Sequence, residues 1–75
     1  MNKDKFLTLF QETMEMEDQE ISVDDKFRDY EEWDSLAVLS VLALINEEFG
    51  ITLKREELDK LQTIEEMFEF VSTRG

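Results

Sequence analysis

Proline is absent from this chain of 75 residues, and glycine occurs only at Gly50 and Gly75. Tight turns between β-strands depend heavily on these residue types, because glycine reaches positive φ without strain and proline presets φ. So few turn residues disfavour a β-rich fold and favour helices. Because 41% of the residues are hydrophobic and six are phenylalanine, we expect one compact domain over residues 1–75 and not a disordered acidic tail.

The N-terminal segment has the apolar spacing of an amphipathic helix. Phe6, Leu9, Phe10 and Met14 recur at intervals of three and four residues, with polar residues between them. This spacing places the four side chains on one face and predicts a helix over residues 3–17.

An acidic connection follows and loses this spacing. Its apolar residues are isolated, at Ile21, Val23, Phe27 and Tyr30. A connection of this length needs packing of its own, so we expect these side chains to hold it against the helices. Trp33, at its end, is either a residue of the core edge or a lid over a bound group, and we favour the core edge.

A second helix is predicted from Ser35 to Phe49, where Gly50 supplies the left-handed residue expected just past a helix end. Either Asp34 or Ser35 can serve as its N-cap. A short third helix is predicted within residues 54–61, with Leu58 and Leu61 packed inward.

Thr63 and Glu66 have the spacing of a capping box and predict the start of a last helix. The apolar residues of that helix are Ile64, Met67, Phe68 and Val71. The fold class predicted from these segments is all-α, a small four-helix bundle with three longer helices and one short one.

The second helix carries more apolar side chains than one buried face requires. At about 100° per residue, its predicted core face consists of Val38, Val41, Leu42, Ile45 and Phe49. The opposite face is predicted to hold Leu36, Ala37, Ser40, Ala43, Leu44 and Glu47. Contiguous exposed apolar surface often marks a partner site, and we favour that interpretation for Leu36, whereas burial in a small bundle is an equal alternative for Leu44.

The charge balance limits the partners of the chain. Its 20 acidic residues against 8 basic ones give a formal net charge of −12. Binding to nucleic acid depends on clustered Lys and Arg, so we expect no nucleic-acid partner, and we expect no membrane insertion because no apolar segment is long enough. Proteins with basic docking patches are the expected partners.

Cysteine and histidine are both absent. Disulfides, thiolate metal sites and a Ser-His-Asp triad are therefore impossible, and the chain is predicted not to be an enzyme and to have no catalytic residues. The acidic connection has no glycine at the turn that an EF-hand loop requires, so no metal site is predicted.

Asp34, Ser35 and Leu36 match the D-S-L motif that opens the second helix in the acyl carrier protein family, and the chain resembles that family over nearly its whole length. Supporting segments are the Phe27 anchor, LINEEFGITL at 44–53 and the TIEEMFEFV ending. The resemblance implies that Ser35 carries covalent 4′-phosphopantetheine, derived from coenzyme A. A phosphodiester there would lie at a helix N-terminus, where negative charge is favoured.

The same resemblance assigns roles and partners. Asp34 would serve transferase recognition and cap geometry, and the arm on Ser35 would carry acyl intermediates as thioesters. The implied partners are a phosphopantetheinyl transferase, an acyl-activating ligase or acyltransferase, and downstream synthase enzymes. These enzymes, which are expected to have basic docking patches, would contact the outer face of the second helix at Leu36, Ala37, Ser40, Ala43, Leu44 and Glu47. We expect a cytoplasmic monomer.

Members of the family that serve primary fatty acid biosynthesis have several acids along the second helix, whereas this chain has Ala37, Ser40 and Asn46 at the matching places. The usual glycine before the motif is missing, and Trp33 precedes Asp34. These differences favour a carrier of polyketide or specialised lipid biosynthesis. A peptidyl or aminoacyl carrier is an alternative, as is an unmodified acidic interaction module in which the serine is only an N-cap.

Overall fold

The computed structural model describes residues 2–74, so Met1 and Gly75, the ends of the predicted domain, lie outside the described residues. The helices are α1 (Lys3–Thr13), α2 (Ser35–Phe49), α3 (Arg55–Leu58) and α4 (Ile64–Arg74), and a 3-10 turn (Phe27–Asp29) lies before α2. The described part of the chain contains no strand, only one isolated antiparallel bridge between Lys26 and Thr63. The predicted four-helix fold is therefore confirmed.

Helix α1 is shorter than the sequence predicts. It ends at Thr13, and the predicted end at residue 17 is wrong. The amides of Glu15 and Met16 donate to the carbonyls of Glu12 and Gln11 at 3.1 and 2.9 Å, which is the pattern of a Schellman motif. Glu15 takes the left-handed conformation (φ 57°) that usually selects glycine. The turn brings Met16 into the core, where it is fully buried.

Helices α1, α2 and α4 enclose the core. Its fully buried members are Phe6, Phe10, Met16, Phe27, Val41, Ile45, Leu58, Ile64, Met67 and Val71. Phe6 meets Phe49 edge-on with ring centroids 5.8 Å apart, which ties the end of α2 to α1. Gly50, with φ 71°, ends α2 as predicted.

The connection between α1 and α2 is held by its own apolar residues and by backbone hydrogen bonds to the start of α4. Phe27 is fully buried, and Ile21, Val23, Tyr30 and Trp33 pack partly buried against the core, so the predicted anchoring is confirmed. The carbonyls of Val23 and Asp25 accept from the amides of Glu65 and Ile64 at 2.8 and 3.3 Å. These bonds satisfy donors that the first turn of α4 leaves unpaired.

The predicted cap of the last helix at Thr63 is confirmed, but the return bond of the predicted capping box reaches Gln62 and not Thr63. The Glu66 amide donates to Thr63 Oγ1 at 3.1 Å, and Glu66 Oε1 accepts from the Gln62 amide at 2.8 Å. Leu58 and Leu61 are buried on either side of the end of α3, as expected. None of the helices described here combines the length and the apolar composition that crossing a bilayer requires.

Candidate functional site

Ser35 is the first residue of α2, and its side chain is exposed. The cap of the helix is Asp34, whose extended backbone (φ −141°, ψ −173°) lets Oδ1 accept from the Ala37 amide at 2.8 Å. The Ser35 hydroxyl makes no hydrogen bond to any residue between 2 and 74. The structure therefore separates the two candidate caps: Asp34 stabilises the helix, and Ser35 presents a free hydroxyl.

The electrostatic surroundings of Ser35 suit an attached phosphate. The first turn of α2 contains no acidic residue, and the amides of Ser35 and Leu36 have no carbonyl partner within the part of the chain described. Unpaired amides at a helix N-terminus, together with the helix dipole, stabilise negative charge. The residues present thus fit a phosphodiester on the Ser35 oxygen.

A groove of about 270 Å³ lies beside this serine, between the end of α1 and the first turns of α2. Its walls are formed by Thr13, Met14, Glu15, Glu32, Asp34, Leu36, Ala37 and Ser40. Both chain neighbours of Ser35 therefore face the groove. Its floor is apolar, because Met14 and Ala37 belong to the buried core cluster.

The outer face of α2 differs in part from the predicted one. Leu36, Ala43 and Glu47 are exposed and Ser40 is half-buried, but Ala37 and Leu44 are 9% and 7% exposed. Placing Ala37 on the outer face is wrong, and for Leu44 the alternative of burial is the correct one, because α2 packs against both α1 and α4. Neither residue is available as a surface contact for a partner.

Leu39 is the exposed residue that the helical-wheel prediction misses. It is 63% exposed, and Leu36 is 71% exposed; within residues 2–74 these are the two large hydrophobic side chains left in water. Leu36, Leu39 and Ala43 follow one another at spacings of three and four, so they form one strip along α2. That spacing is the sequence signal by which Leu39 could have been found.

Trp33 lies at the edge of the core and not over the groove. Its ring packs edge-on against Phe27 with centroids 4.8 Å apart, and the side chain is half-buried. The favoured core-edge role is therefore confirmed. The contact also fixes the backbone entering Asp34, one residue on.

Comparisons with protein families and with known proteins point to the same family. The family model described as "Phosphopantetheine attachment site" matches residues 4–71. The chain is 28% identical to the acyl carrier protein of Petrotoga mobilis over 71 residues, 95% of this chain and 84% of that relative. It is 32% identical to the acyl carrier protein of Treponema pallidum over 66 residues, 88% of this chain and 85% of that relative. No solved structure matches the chain significantly.

The family match covers all but the first residue of α1, all of α2 and α3, most of α4, and the free serine at the start of α2. The chain therefore belongs to the acyl carrier protein family, whose members are carriers and not enzymes and whose prosthetic group is covalently attached 4′-phosphopantetheine.

Proposed function

We propose that Ser35 is the residue that carries the prosthetic group and that the protein presents acyl intermediates to biosynthetic enzymes. The observation that supports this most is that Asp34 caps α2 while Ser35, the next residue, does not. The Asp34 carboxylate accepts the capping bond, so the exposed Ser35 hydroxyl can be esterified without any loss of helix capping. When bound, the arm supplies a thiol, which this cysteine-free chain lacks, and that thiol holds acyl groups as thioesters.

The strip formed by Leu36, Leu39 and Ala43 is the proposed docking surface for partner enzymes, with Ser40 and Glu47 on its edge. The strip begins at Leu36, next to Ser35, so an enzyme that acts on the arm comes close to the strip. Its two exposed leucines supply apolar contact area, and the surrounding negative charge attracts enzymes with basic patches. These partners are a phosphopantetheinyl transferase, an acyl-activating ligase or acyltransferase, and downstream synthase enzymes.

The proposal extends to a specialised role in the cytoplasm. Ala37 lies in the core, and Ser40 and Asn46 are uncharged, so the docking side of α2 offers few acids before Glu47. Partners of this chain would therefore recognise apolar shape on α2 more than a row of carboxylates.

The test is enzymatic loading followed by intact-mass measurement. The purified protein is incubated with coenzyme A and a promiscuous phosphopantetheinyl transferase. We expect a mass gain of one phosphopantetheine group in the wild type and in Ser40→Ala, a matched serine five residues along the same helix, and no gain in Ser35→Ala. Absence of the gain in the wild type, or its persistence in Ser35→Ala, would overturn the proposal.

A further inference from the structure

The groove between α1 and α2 has no role in attaching the prosthetic group, yet it opens directly beside the attachment residue. Asp34 and Leu36, on either side of Ser35, both line it. We propose that this groove holds the amide-bearing middle part of the arm carried by Ser35, against Met14 and Ala37. The proposal rests on the attachment to Ser35 proposed above.

The lining of the groove matches the chemistry of that part of the arm. The floor of Met14 and Ala37 is apolar and suits the geminal methyl groups and methylenes of pantetheine. The side chains of Thr13, Glu15 and Ser40 supply oxygen acceptors, and within residues 2–74 none of the three makes a hydrogen bond to protein. The two amide N–H groups of pantetheine are donors for such acceptors.

Charge determines which part of the arm can enter. Glu15, Glu32 and Asp34 line the groove, and their carboxylates repel a phosphodiester. Asp34 also lies at the N-terminus of α2, but there the unpaired amides of Ser35 and Leu36 and the helix dipole offset its charge, so the phosphate is favoured at the helix N-terminus, outside the groove. The neutral pantetheine segment, which has donors and no negative charge, is the part that the groove can accept.

The wall formed by α1 is held in place before any arm arrives. The Schellman motif fixes Glu15 through the Met16 amide, which donates to the Gln11 carbonyl at 2.9 Å, and Met16 is buried. Attachment at Ser35 would also give the arm an effective concentration on the order of millimolar at the groove. Even a weak contact with Met14 would then be populated in a large share of the molecules.

The direct test is nuclear magnetic resonance of the protein loaded with unacylated phosphopantetheine, with the unloaded protein as reference. We expect nuclear Overhauser contacts between the geminal methyl groups of the arm and the Met14 methyl. We also expect shifted amides at Thr13 and Glu15, which belong to a different segment of the chain from Ser35. Both readouts are independent of any acyl transfer.

Two variants separate docking from mere proximity. Ser40→Phe fills the groove and should abolish the contacts to Met14, whereas Glu48→Phe, at an exposed position of α2 outside both the groove and the docking strip, should leave them unchanged. If the amide spectrum shows that Ser40→Phe does not fold, Thr13→Val, which removes one acceptor at the end of α1, should weaken the contacts.

The other outcomes of the experiment overturn either the groove proposal or the proposed function. A loaded protein without contacts to Met14, or with contacts only at Phe70 in the open pocket beside α4, overturns the groove proposal and leaves Ser35 as the attachment site. Contacts that persist in Ser40→Phe also overturn it. Failure to load at all overturns the proposed function instead.

Discussion

Asp34 Oδ1 accepts a hydrogen bond from the Ala37 amide at 2.8 Å, and this bond leaves the intervening serine free of any capping role. Serine before a helix is most often an N-cap whose hydroxyl is engaged by the backbone. Here the carboxylate one residue earlier takes that position. The hydroxyl of Ser35 is therefore both exposed and available for esterification.

Removing the cap should destabilise the protein. We expect Asp34→Ala to lower the free energy of unfolding by about 1 kcal/mol, because the Ala37 amide loses its acceptor. Asp34→Asn keeps an oxygen at the same place and should keep most of that stability. Urea denaturation at neutral pH measures both changes, and equal losses in the two variants would contradict the assigned cap.

Truncating the exposed leucines should impair recognition without unfolding the protein. Leu36→Ala and Leu39→Ala truncate side chains that are largely exposed to solvent, so the free energy of unfolding should change by no more than about 0.5 kcal/mol. The kcat/KM of a phosphopantetheinyl transferase should fall roughly fivefold for each, the equivalent of about 1 kcal/mol of lost contact.

The matched control for the leucines is Ile45→Ala, on the buried side of the same helix. It should lower the free energy of unfolding by about 2–5 kcal/mol, because it opens a cavity in the core. If Leu36→Ala and Leu39→Ala load as fast as the wild type, the strip on α2 is not a docking surface for the transferase.

Tyr30 should make stability fall at high pH. Burial raises the pKa of its phenol well above the ordinary value, and the hydrogen bond that its hydroxyl donates to Asp25 Oδ2 at 2.7 Å acts in the same direction. As the pH rises past about 10, the unfolded chain loses the phenol proton while the folded chain keeps it. The free energy of unfolding attributable to Tyr30 is therefore complete below pH about 10 and declines above it.

Tyr30 is the one tyrosine of the chain, so tyrosinate absorbance reports its titration directly. We expect a midpoint above 10 in the folded protein and a midpoint near the ordinary value in concentrated urea. Tyr30→Phe should remove part of the stability loss that urea denaturation shows between pH 9 and 11. Coincident midpoints in the folded and unfolded protein would contradict this prediction.

Arg28 should be the residue that ties the long connection to α3. Its Nη1 donates to the Leu58 carbonyl at 3.2 Å, and Nη2 donates to the Leu61 carbonyl. Arg28→Ala should cost roughly 1–3 kcal/mol in urea denaturation. Arg28→Lys should recover only part of it, since an ammonium group cannot reach both carbonyls as a planar guanidinium does.

A neighbouring cation provides the control for Arg28. Lys26 lies two residues earlier, and its side chain is exposed. Lys26→Ala should change the free energy of unfolding by no more than about 0.5 kcal/mol. A loss as large as that of Arg28→Ala would mean that general charge, and not the two carbonyl contacts, stabilises the segment.

The order of helices could be predicted from the sequence because its signals are local. Gly50 marks the end of α2, Thr63 and Glu66 mark the start of α4, and the apolar spacing of each helix shows its inner face. The end of α1 could not be predicted in this way. Its left-handed residue is Glu15 and not glycine, and the turn depends on burying Met16, which is a tertiary effect.

The residues of the candidate site could be predicted from the motif, but the burial of their neighbours and the groove beside them could not. Ser35 and Asp34 follow from the D-S-L pattern, but which of them caps the helix depends on backbone geometry. The helical wheel misplaces Ala37 and leaves Leu44 undecided, because it does not show that α2 packs against two neighbouring helices. The groove beside Met14 arises where two segments distant in sequence meet, and no local pattern encodes it.

The most direct test of the account is to locate the added group on the chain. The protein is loaded with coenzyme A and a transferase, digested, and sequenced by fragmentation mass spectrometry across its four serines, Ser22, Ser35, Ser40 and Ser72. We expect one phosphopantetheine per chain, on Ser35 alone. An unmodified chain, or a group found on any other residue, would contradict it.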